Sequence, residues 1–254
     1  MDDDLRNSLW NEFTLNFYEP DREIFLGVTR ILWAKFFKYQ LDELPVRLLY
    51  QTYARIKSAF FEIDWDEVYD FIEFIANINY LRARNRIENF VVNCNDILKE
   101  ELSVYRFIDK VLTKITSEEE IAEIEEALSI EEPFSFVALH LNDSLKFLSD
   151  RKSPNYRNSV KESISAVESM VQLITGEKKS TLGQALKKIE PELHPALKGA
   201  FEKLYGYTSN AEGIRHALIE EPNLDFEEAK FMLVSCSAFI NYLKVKMNKA
   251  GLSI

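Results

Sequence analysis

Apolar residues recur at spacings of three and four along nearly the whole chain, and this spacing constrains the fold more than any other feature. The first such stripe consists of Leu5, Leu9, Phe13 and Phe17, which would share one face of an α-helix. Glycine and proline number only seven each, which argues against a turn-rich β-sandwich and favours long helices with short connections. We therefore predict an all-α protein in which the many aromatic residues of the first part form core.

Charge and loop composition divide the chain into two parts. Residues 1–149 carry 16 Lys and Arg against 29 Asp and Glu, whereas residues 150–254 carry 15 against 13. The polar segment SDRKSPNY at 149–156 lies between them and reads as a connection. We predict an acidic helical domain over 1–149 and a second helical domain over 150–254, where any nucleic-acid site would lie.

Several classes of protein lack support in the sequence. The start MDDDLRN has no basic segment followed by an apolar run, and no stretch approaches the length of an uncharged membrane span. Cys94 and Cys236 are far apart within apolar segments, which predicts two reduced core thiols rather than a metal site or disulfide. No P-loop, GxGxxG, HExxH or GxSxG motif is present. We expect a cytoplasmic protein that needs no metal or cofactor and does not enter the membrane.

Two local patterns predict structure in the acidic part. Asp64 followed by Glu67 forms a capping-box pattern, so a helix should begin at Asp64. Between residues 105 and 116 the apolar period changes from helical to alternating and centres on Asp109 and Lys110, which predicts a small β-hairpin.

The second part shows two long helical patterns with shorter ones between them. An apolar stripe ends at Gly176, which suits a left-handed helix end, and a capping box at Asp225 opens the last and longest helix. Pro195 predicts the first turn of a helix that ends near Gly206, and Ser209 predicts the start of another. Long helices bracketing short ones predict an antiparallel bundle.

Three stretches of the second part together resemble a known domain. They read PNYRNSVKESISAVES (154–169), ALKGAFEKLYGYTSNAEGIRHAL (196–218) and EEAKFMLVSCSAFINYL (227–243). They are similar to the C-terminal HEPN domain, a helical bundle, of AbiJ-type abortive-infection proteins of bacteria. The resemblance covers essentially all of residues 150–248.

The acidic part carries a matching resemblance. LRNSLWNEF (5–13), WDEVYDFIEFI (65–75) and YRFIDKVLTKITSEEEIAEIEEAL (105–128) look like an AbiJ N-terminal domain of the fourth type. Such proteins often carry a short segment before the LRNSLW stretch. We therefore expect that the native start lies upstream of Met1 or that this segment is dispensable.

The HEPN resemblance implies metal-independent RNA cleavage by an Arg, its polar neighbour and a His a few residues further on, completed across a homodimer. In this sequence Arg215 and His216 match the first half, whereas the window for the second His holds Glu220, Glu221 and Pro222. The chemistry is physically sound, because Arg neutralises phosphate charge and His transfers protons near neutral pH.

Each motif residue also has a structural interpretation. Arg215 can instead form an ion pair with Glu162 or Glu168 on the long helix. His216 is its direct neighbour, and adjacent side chains on a helix point about 100° apart. The two therefore need a helix end or a partner chain to face one small site.

Arg157 and Asn158 begin the long helix of the second part, where exposed backbone donors and a cation would suit a phosphate. The alternative is a polar pair on the surface. Of the two remaining histidines, His194 precedes a proline and is expected to cap a turn. His140 lies on a helix in the acidic part, and the sequence reveals no partner for it.

The resemblance implies an anti-phage abortive-infection effector. Its acidic domain would sense a phage-derived trigger or a restraining partner, and its HEPN domain would dimerise and cleave RNA. The alternative is a non-catalytic HEPN module that only dimerises or binds a nucleotide or nucleic acid. The missing distal His favours the alternative, and the retained GIRHA segment favours the ribonuclease.

Overall fold

The computed structural model describes residues 1–130, 134–176, 194–210 and 224–249. Over these residues the chain forms ten α-helices and one two-stranded antiparallel hairpin, which confirms the all-α prediction. The chain divides into two compact units, Met1–Lys114 and Ile115–Ile254.

The first unit consists of five α-helices linked by short helical turns. The α-helices are α1 (Asp3–Phe13), α2 (Arg22–Ile31), α3 (Leu49–Glu62), α4 (Trp65–Ala76) and α5 (Arg84–Glu100). Single π-helical turns follow α1 and α2 at Thr14–Tyr18 and Leu32–Phe36, and short 3-10 turns lie at Leu41–Glu43 and Leu81–Ala83. The hairpin follows α5 and comprises β1 (Arg106–Ile108) and β2 (Val111–Thr113).

Aromatic rings fill the core of the first unit. The ring of Phe71 lies 5.7 Å from that of Phe13 and 4.9 Å from that of Phe60, measured between centroids, and all three side chains are fully buried. Buried aromatic rings bring more apolar area out of water than most other side chains. The aromatic residues of this part are therefore core, as predicted.

Both local patterns of the acidic part are confirmed. The backbone N–H of Asp64 donates to Glu67 Oε2 at 3.0 Å, and the Asp64 side chain accepts from the Glu67 backbone, which completes the capping box ahead of α4. In the hairpin, Asp109 and Lys110 form the turn with φ angles of 46° and 76°. Two consecutive positive φ angles match the tight turn whose twist fits paired strands.

Helix α5 ends in a hydrogen-bonded turn in which the backbone of Leu102 adopts the left-handed conformation. The N–H of Ser103 donates to the Leu98 carbonyl at 2.9 Å, and the N–H of Leu102 donates to the Lys99 carbonyl at 3.2 Å. This is a Schellman motif, in which glycine usually occupies the left-handed position. Leu102 has a φ of 52° and is 87% exposed, and Arg106 Nη1 holds the turn by donating to two of its carbonyls.

The second unit contains α6 (Glu118–Leu128), α7 (Ser135–Ser149), α8 (Tyr156–Thr175), α9 (Pro195–Asn210) and α10 (Phe226–Lys249). Two of its helix ends, at Gly176 and Asp225, follow the sequence patterns. Ser117 Oγ accepts from the Glu120 N–H at 3.3 Å ahead of α6, and Gly176 closes α8 with a φ of 70°. Asp225 caps α10, and its own N–H donates to Glu228 Oε2 at 3.2 Å.

Helices α7 and α8 pack side by side in opposite directions. Ser144 contacts Ser159, and four residues earlier on α7 His140 contacts Glu162, so numbers fall on one helix as they rise on the other. The connection between them is structured, because Asp150 Oδ1 accepts from two backbone N–H groups. The domain boundary predicted near residue 150 falls in this connection, inside the second unit. Independent folding of residues 150–254 stays a prediction.

Helix α6 packs against α10, the last helix described. Asn241 Nδ2 donates to both the backbone carbonyl and Oε2 of Glu123, each at 2.9 Å. Lys230 Nζ lies 2.8 Å from Glu120 Oε2 and joins the same two helices.

Helix α9 is longer than its sequence pattern indicates. It begins at Pro195 as predicted, but it continues through Gly206 to Asn210 rather than ending near the glycine. Ser209 therefore lies within α9, and the helix start predicted there is wrong. A single interior glycine costs a helix only about 1 kcal/mol, which helix packing readily offsets.

Candidate functional site

The start of α8 places Arg157 and Asn158 in the first turn of a 20-residue helix. Both are partly buried, and Asn155 Oδ1 accepts from the Asn158 N–H at 3.1 Å as the helix cap. One backbone donor of this turn is therefore already satisfied within the protein. Phosphate binding by Arg157 and Asn158 stays a prediction.

The motif residues Arg215 and His216 lie outside the described residues, as do Glu220, Glu221 and Pro222. Their chemistry therefore stays a prediction from the sequence. Glu162, one structural partner considered for Arg215, is described, and its Oε2 lies 2.6 Å from His140 Nδ1.

His140 and Glu162 form a side-chain pair that the sequence analysis did not predict. It joins α7 to α8, with the His140 side chain 32% exposed and that of Glu162 16% exposed. Lys161 Nζ lies 3.6 Å from the other carboxylate oxygen. A carboxylate bonded to Nδ1 fixes the ring orientation and directs Nε2 elsewhere, which is how enzymes prepare an imidazole for proton transfer. The same geometry also serves as a link between helices.

Three serines beside this pair form a separate polar cluster. Ser144 Oγ lies 3.1 Å from Ser159 Oγ and 2.7 Å from Ser163 Oγ, and all three residues are fully buried. Buried hydroxyls that satisfy one another hold packed helices together. A serine nucleophile would have to reach substrate, and none of these three does.

Neither cysteine has the properties of a reactive thiol. Both are free and buried, as predicted. Burial raises the pKa of the Cys236 thiol to about 12. Burial and the nearby Glu12 carboxylate raise the pKa of Cys94 well above its ordinary value. A nucleophilic cysteine needs a lowered pKa and access to solvent, so both thiols are structural.

The remaining described histidine plays the predicted role. His194 Nδ1 accepts from the Ala196 N–H at 3.2 Å, so its ring caps the start of α9. Within the ranges that the structure describes, no three His, Cys, Asp or Glu side chains come together as a group that could hold a metal ion. In those same ranges, no helix combines the length and apolar character needed to cross a membrane.

Comparison with known proteins gives a family match. The family model described as AbiJ N-terminal domain 4 matches residues 1–129, about half of the chain. The chain belongs to this AbiJ family. Neither the curated proteins nor the solved structures contain a match to it.

The AbiJ segment, defined as the matched residues 1–129, does not coincide with the first compact unit. It includes all of Met1–Lys114 and continues through α6, the helix that packs against α10. The family thus covers the aromatic core, the hairpin and the first helix of the second unit. Membership in this family indicates an abortive-infection system.

Proposed function

We propose that the chain is an abortive-infection effector whose C-terminal helices form a HEPN-type bundle that cleaves RNA without a metal ion. The AbiJ match over residues 1–129 is the observation that carries the proposal. It supports the resemblance to AbiJ-type proteins, and that resemblance is the reason for interpreting the GIRHA segment as part of a ribonuclease motif. The packing of the long helices α8 and α10 against each other is consistent with such a bundle.

In the proposed reaction, Arg215 neutralises the scissile phosphate and the charge that develops on it. His216 of one chain accepts the proton of the RNA 2′-hydroxyl, whose oxygen attacks phosphorus. The bond from phosphorus to the 5′-oxygen breaks, and that oxygen receives a proton from the protonated His216 of the partner subunit. The products are a 2′,3′-cyclic phosphate and a 5′-hydroxyl end, and no metal ion is needed. Arg157 and Asn158 would hold a neighbouring phosphate.

The competing proposal is a HEPN module that dimerises and binds a nucleotide or nucleic acid without cleaving it. It is favoured by Glu220, Glu221 and Pro222, which stand where the second His of the motif is expected. Two carboxylates at that place would repel the phosphate backbone rather than donate a proton to it. The two proposals differ in products, so an assay of RNA ends separates them.

The decisive experiment incubates the purified chain with tRNA and mixed RNA in EDTA and looks for fragments with 2′,3′-cyclic phosphate ends. The chain has three histidines, and each is replaced by Ala in turn. The proposal expects His216→Ala to abolish cleavage while His194→Ala leaves it intact. Loss of cleavage only in His140→Ala would move proton transfer to the His140–Glu162 pair. Absence of cyclic ends in the parent, with RNA still bound, would favour the non-catalytic module.

The proposed effector is a homodimer through its C-terminal domain. Phe231 and Val245 support this, because they lie on one face of α10, four helical turns apart, and are 57% and 45% exposed. A Phe231→Glu variant is expected to sediment as a monomer at micromolar concentration while the parent sediments as a dimer. Phe136→Glu is the matched control, since Phe136 is similarly exposed, at 64%, but lies on α7, outside residues 150–254. A monomeric parent would contradict the proposal.

A further inference from the structure

The AbiJ segment contains a cavity of about 280 Å³ between the end of α4, the start of α5 and the hairpin turn. Its size is near the lower end of small-molecule sites in proteins, roughly 300 Å³ upward. The residues that matter for its chemistry are Asn77, Tyr80, Leu81, Arg84, Ile87 and Lys110. The lining thus combines two cations with amide, aromatic and aliphatic groups.

The cations are notable because this part of the chain is strongly acidic. Residues 82–86 nevertheless contain three arginines. Arg82 pairs with Glu23 at 2.6 Å, and Arg86 donates to the Asn16 carbonyl at 3.2 Å. Arg84 contacts Glu88 through Nε at 3.1 Å, so its terminal nitrogens stay outside that ion pair, and its side chain is 74% exposed. A guanidinium in this state can bind a phosphate with its planar fork.

Lys110 is placed at the cavity at a cost to the backbone. Its φ of 76° is a conformation that glycine adopts freely and other residues rarely adopt. Asn77, which also lines the cavity, holds the turn by donating from Nδ2 to the Lys110 carbonyl at 3.0 Å. A lysine where glycine would be more stable suggests that its charge serves a purpose.

The start of α5 adds to the positive potential of the cavity. This 17-residue helix begins at Arg84 with no side-chain cap and no acidic residue in its first turn. Arg84 and Arg86 instead add positive charge where the helix dipole is already positive, which favours binding of an anion there.

Tyr80 is held in the cavity wall by a close approach to α2. A Cβ atom added at Gly27 would lie 2.5 to 2.8 Å from three atoms of the Tyr80 ring and hydroxyl. Glycine is therefore required at position 27 for the ring to remain where it is. Gly27 thus leaves room for the Tyr80 ring, which lines the same cavity as Arg84 and Lys110.

We propose that this cavity binds a phosphorylated small molecule of about mononucleotide size. The phosphate lies between Arg84 and Lys110, and the remainder packs against Tyr80, Leu81 and Ile87. The proposal uses neither Arg215 nor His216, so it stands whether or not the chain cleaves RNA. It would give the acidic domain a ligand to sense.

The test measures binding of AMP, GMP, CMP and UMP to the full chain by calorimetry, with inorganic phosphate as the reference. At least one nucleotide should bind saturably and more tightly than phosphate. Lys110→Gly should weaken that binding by about ten-fold or more, the size expected for one charged hydrogen bond. Because glycine adopts a positive φ without strain, the Lys110→Gly variant should have a melting temperature equal to or above that of the parent.

Lys38→Gly is the matched control. Lys38 also has a positive φ, 60°, is exposed and belongs to the same unit, but it does not line the cavity. The Lys38→Gly variant should bind the nucleotide as tightly as the parent does. Gly27→Ala should lower nucleotide affinity through displacement of Tyr80 and leave phosphate affinity unchanged. The proposal is overturned if no nucleotide binds better than phosphate, or if Lys110→Gly and Lys38→Gly have the same effect.

Discussion

Asn241 on α10 donates from its side-chain Nδ2 to two oxygens of Glu123 on α6, the backbone carbonyl and the carboxylate Oε2. The Asn241 side chain is almost completely buried, with 6% of its surface exposed. Two bonds from one buried amide fix the position of the last described helix on the last helix of the AbiJ segment. This contact gives the first prediction.

Asn241→Ala should lower the free energy of unfolding by about 1–3 kcal/mol, because a buried carbonyl and a carboxylate lose their donor. Lys230→Met removes the ion pair to Glu120 between the same helices, but both of those side chains are nearly a third exposed. The Lys230→Met substitution should therefore lower the free energy of unfolding by only about 1 kcal/mol or less. Urea unfolding of both variants measures the two values. Equal losses would mean that the Asn241 bonds contribute no more than a surface pair.

The second prediction concerns the thiol of Cys236. Burial raises its pKa to about 12 in the folded chain, so the unfolded thiol ionises first as pH rises. Its contribution to stability is fully present below the ordinary thiol pKa and is lost as pH rises from there toward 12. The urea midpoint of the parent should therefore fall more between pH 7.5 and 10 than that of Cys236→Ala. The native chain should also resist Ellman's reagent at pH 8, whereas both thiols react after unfolding.

The third prediction concerns the limits of the C-terminal domain. The charge pattern predicts that residues 150–254 fold alone, whereas the compact unit begins at Ile115. A fragment from residue 115 keeps α6 and α7, which pack against α10 and α8. We expect it to melt cooperatively and at a higher temperature than a fragment from residue 150. Circular dichroism compares them, and equal melting temperatures would favour the boundary at 150.

Leu102 provides the fourth prediction. Leu102→Gly should raise the free energy of unfolding by about 1 kcal/mol, because glycine relieves the left-handed strain at some cost in unfolded-state entropy. Leu102→Ala keeps the strain and removes a side chain that is 87% exposed, so its stability should match the parent. Thermal unfolding of the two variants tests this. A stabilised alanine variant would mean that the exposed side chain, not the backbone, is costly.

The fifth prediction separates the two roles considered for Arg215. If Arg215 binds phosphate, Arg215→Lys should keep the fold and the charge but weaken RNA cleavage or binding, since the planar fork is lost. If it is instead a partner of a bundle carboxylate, Arg215→Ala should cost about 1–3 kcal/mol of stability. Melting and RNA-cleavage assays on both variants decide. Parent-like cleavage, binding and melting in both would exclude Arg215 from the site and from the bundle contacts.

Sequence analysis succeeded where a structure depends on neighbours in the chain. The capping box at Asp64 needs only Glu67 three residues on, and the hairpin turn at Asp109 and Lys110 needs only the alternating residues beside it. Each pattern satisfies its own backbone groups, so remote packing does not decide it. The extent of α9 beyond Gly206 was missed because helix propensity only weakly disfavours an interior glycine.

Contacts between helices were beyond reach of the sequence. His140 and Glu162 are 22 positions apart, and their meeting depends on the register of α7 against α8. A heptad-like stripe tells which face of a helix is buried but not which residue of the neighbour it meets. The boundary near 150 followed charge and loop composition, which describe the surface rather than the core, and it stays a prediction.

The packing of α6 against α10 has an evolutionary consequence. A gene fusion that attached a different C-terminal domain directly after the AbiJ segment would deprive α6 of the surface that now covers it. Ile124 and Ala127, fully buried today, would face water or an unsuitable neighbour. Shuffling of these modules should therefore succeed only where the incoming domain supplies a helix complementary to α6. Residues at the interface between α6 and α10 are expected to be inherited together.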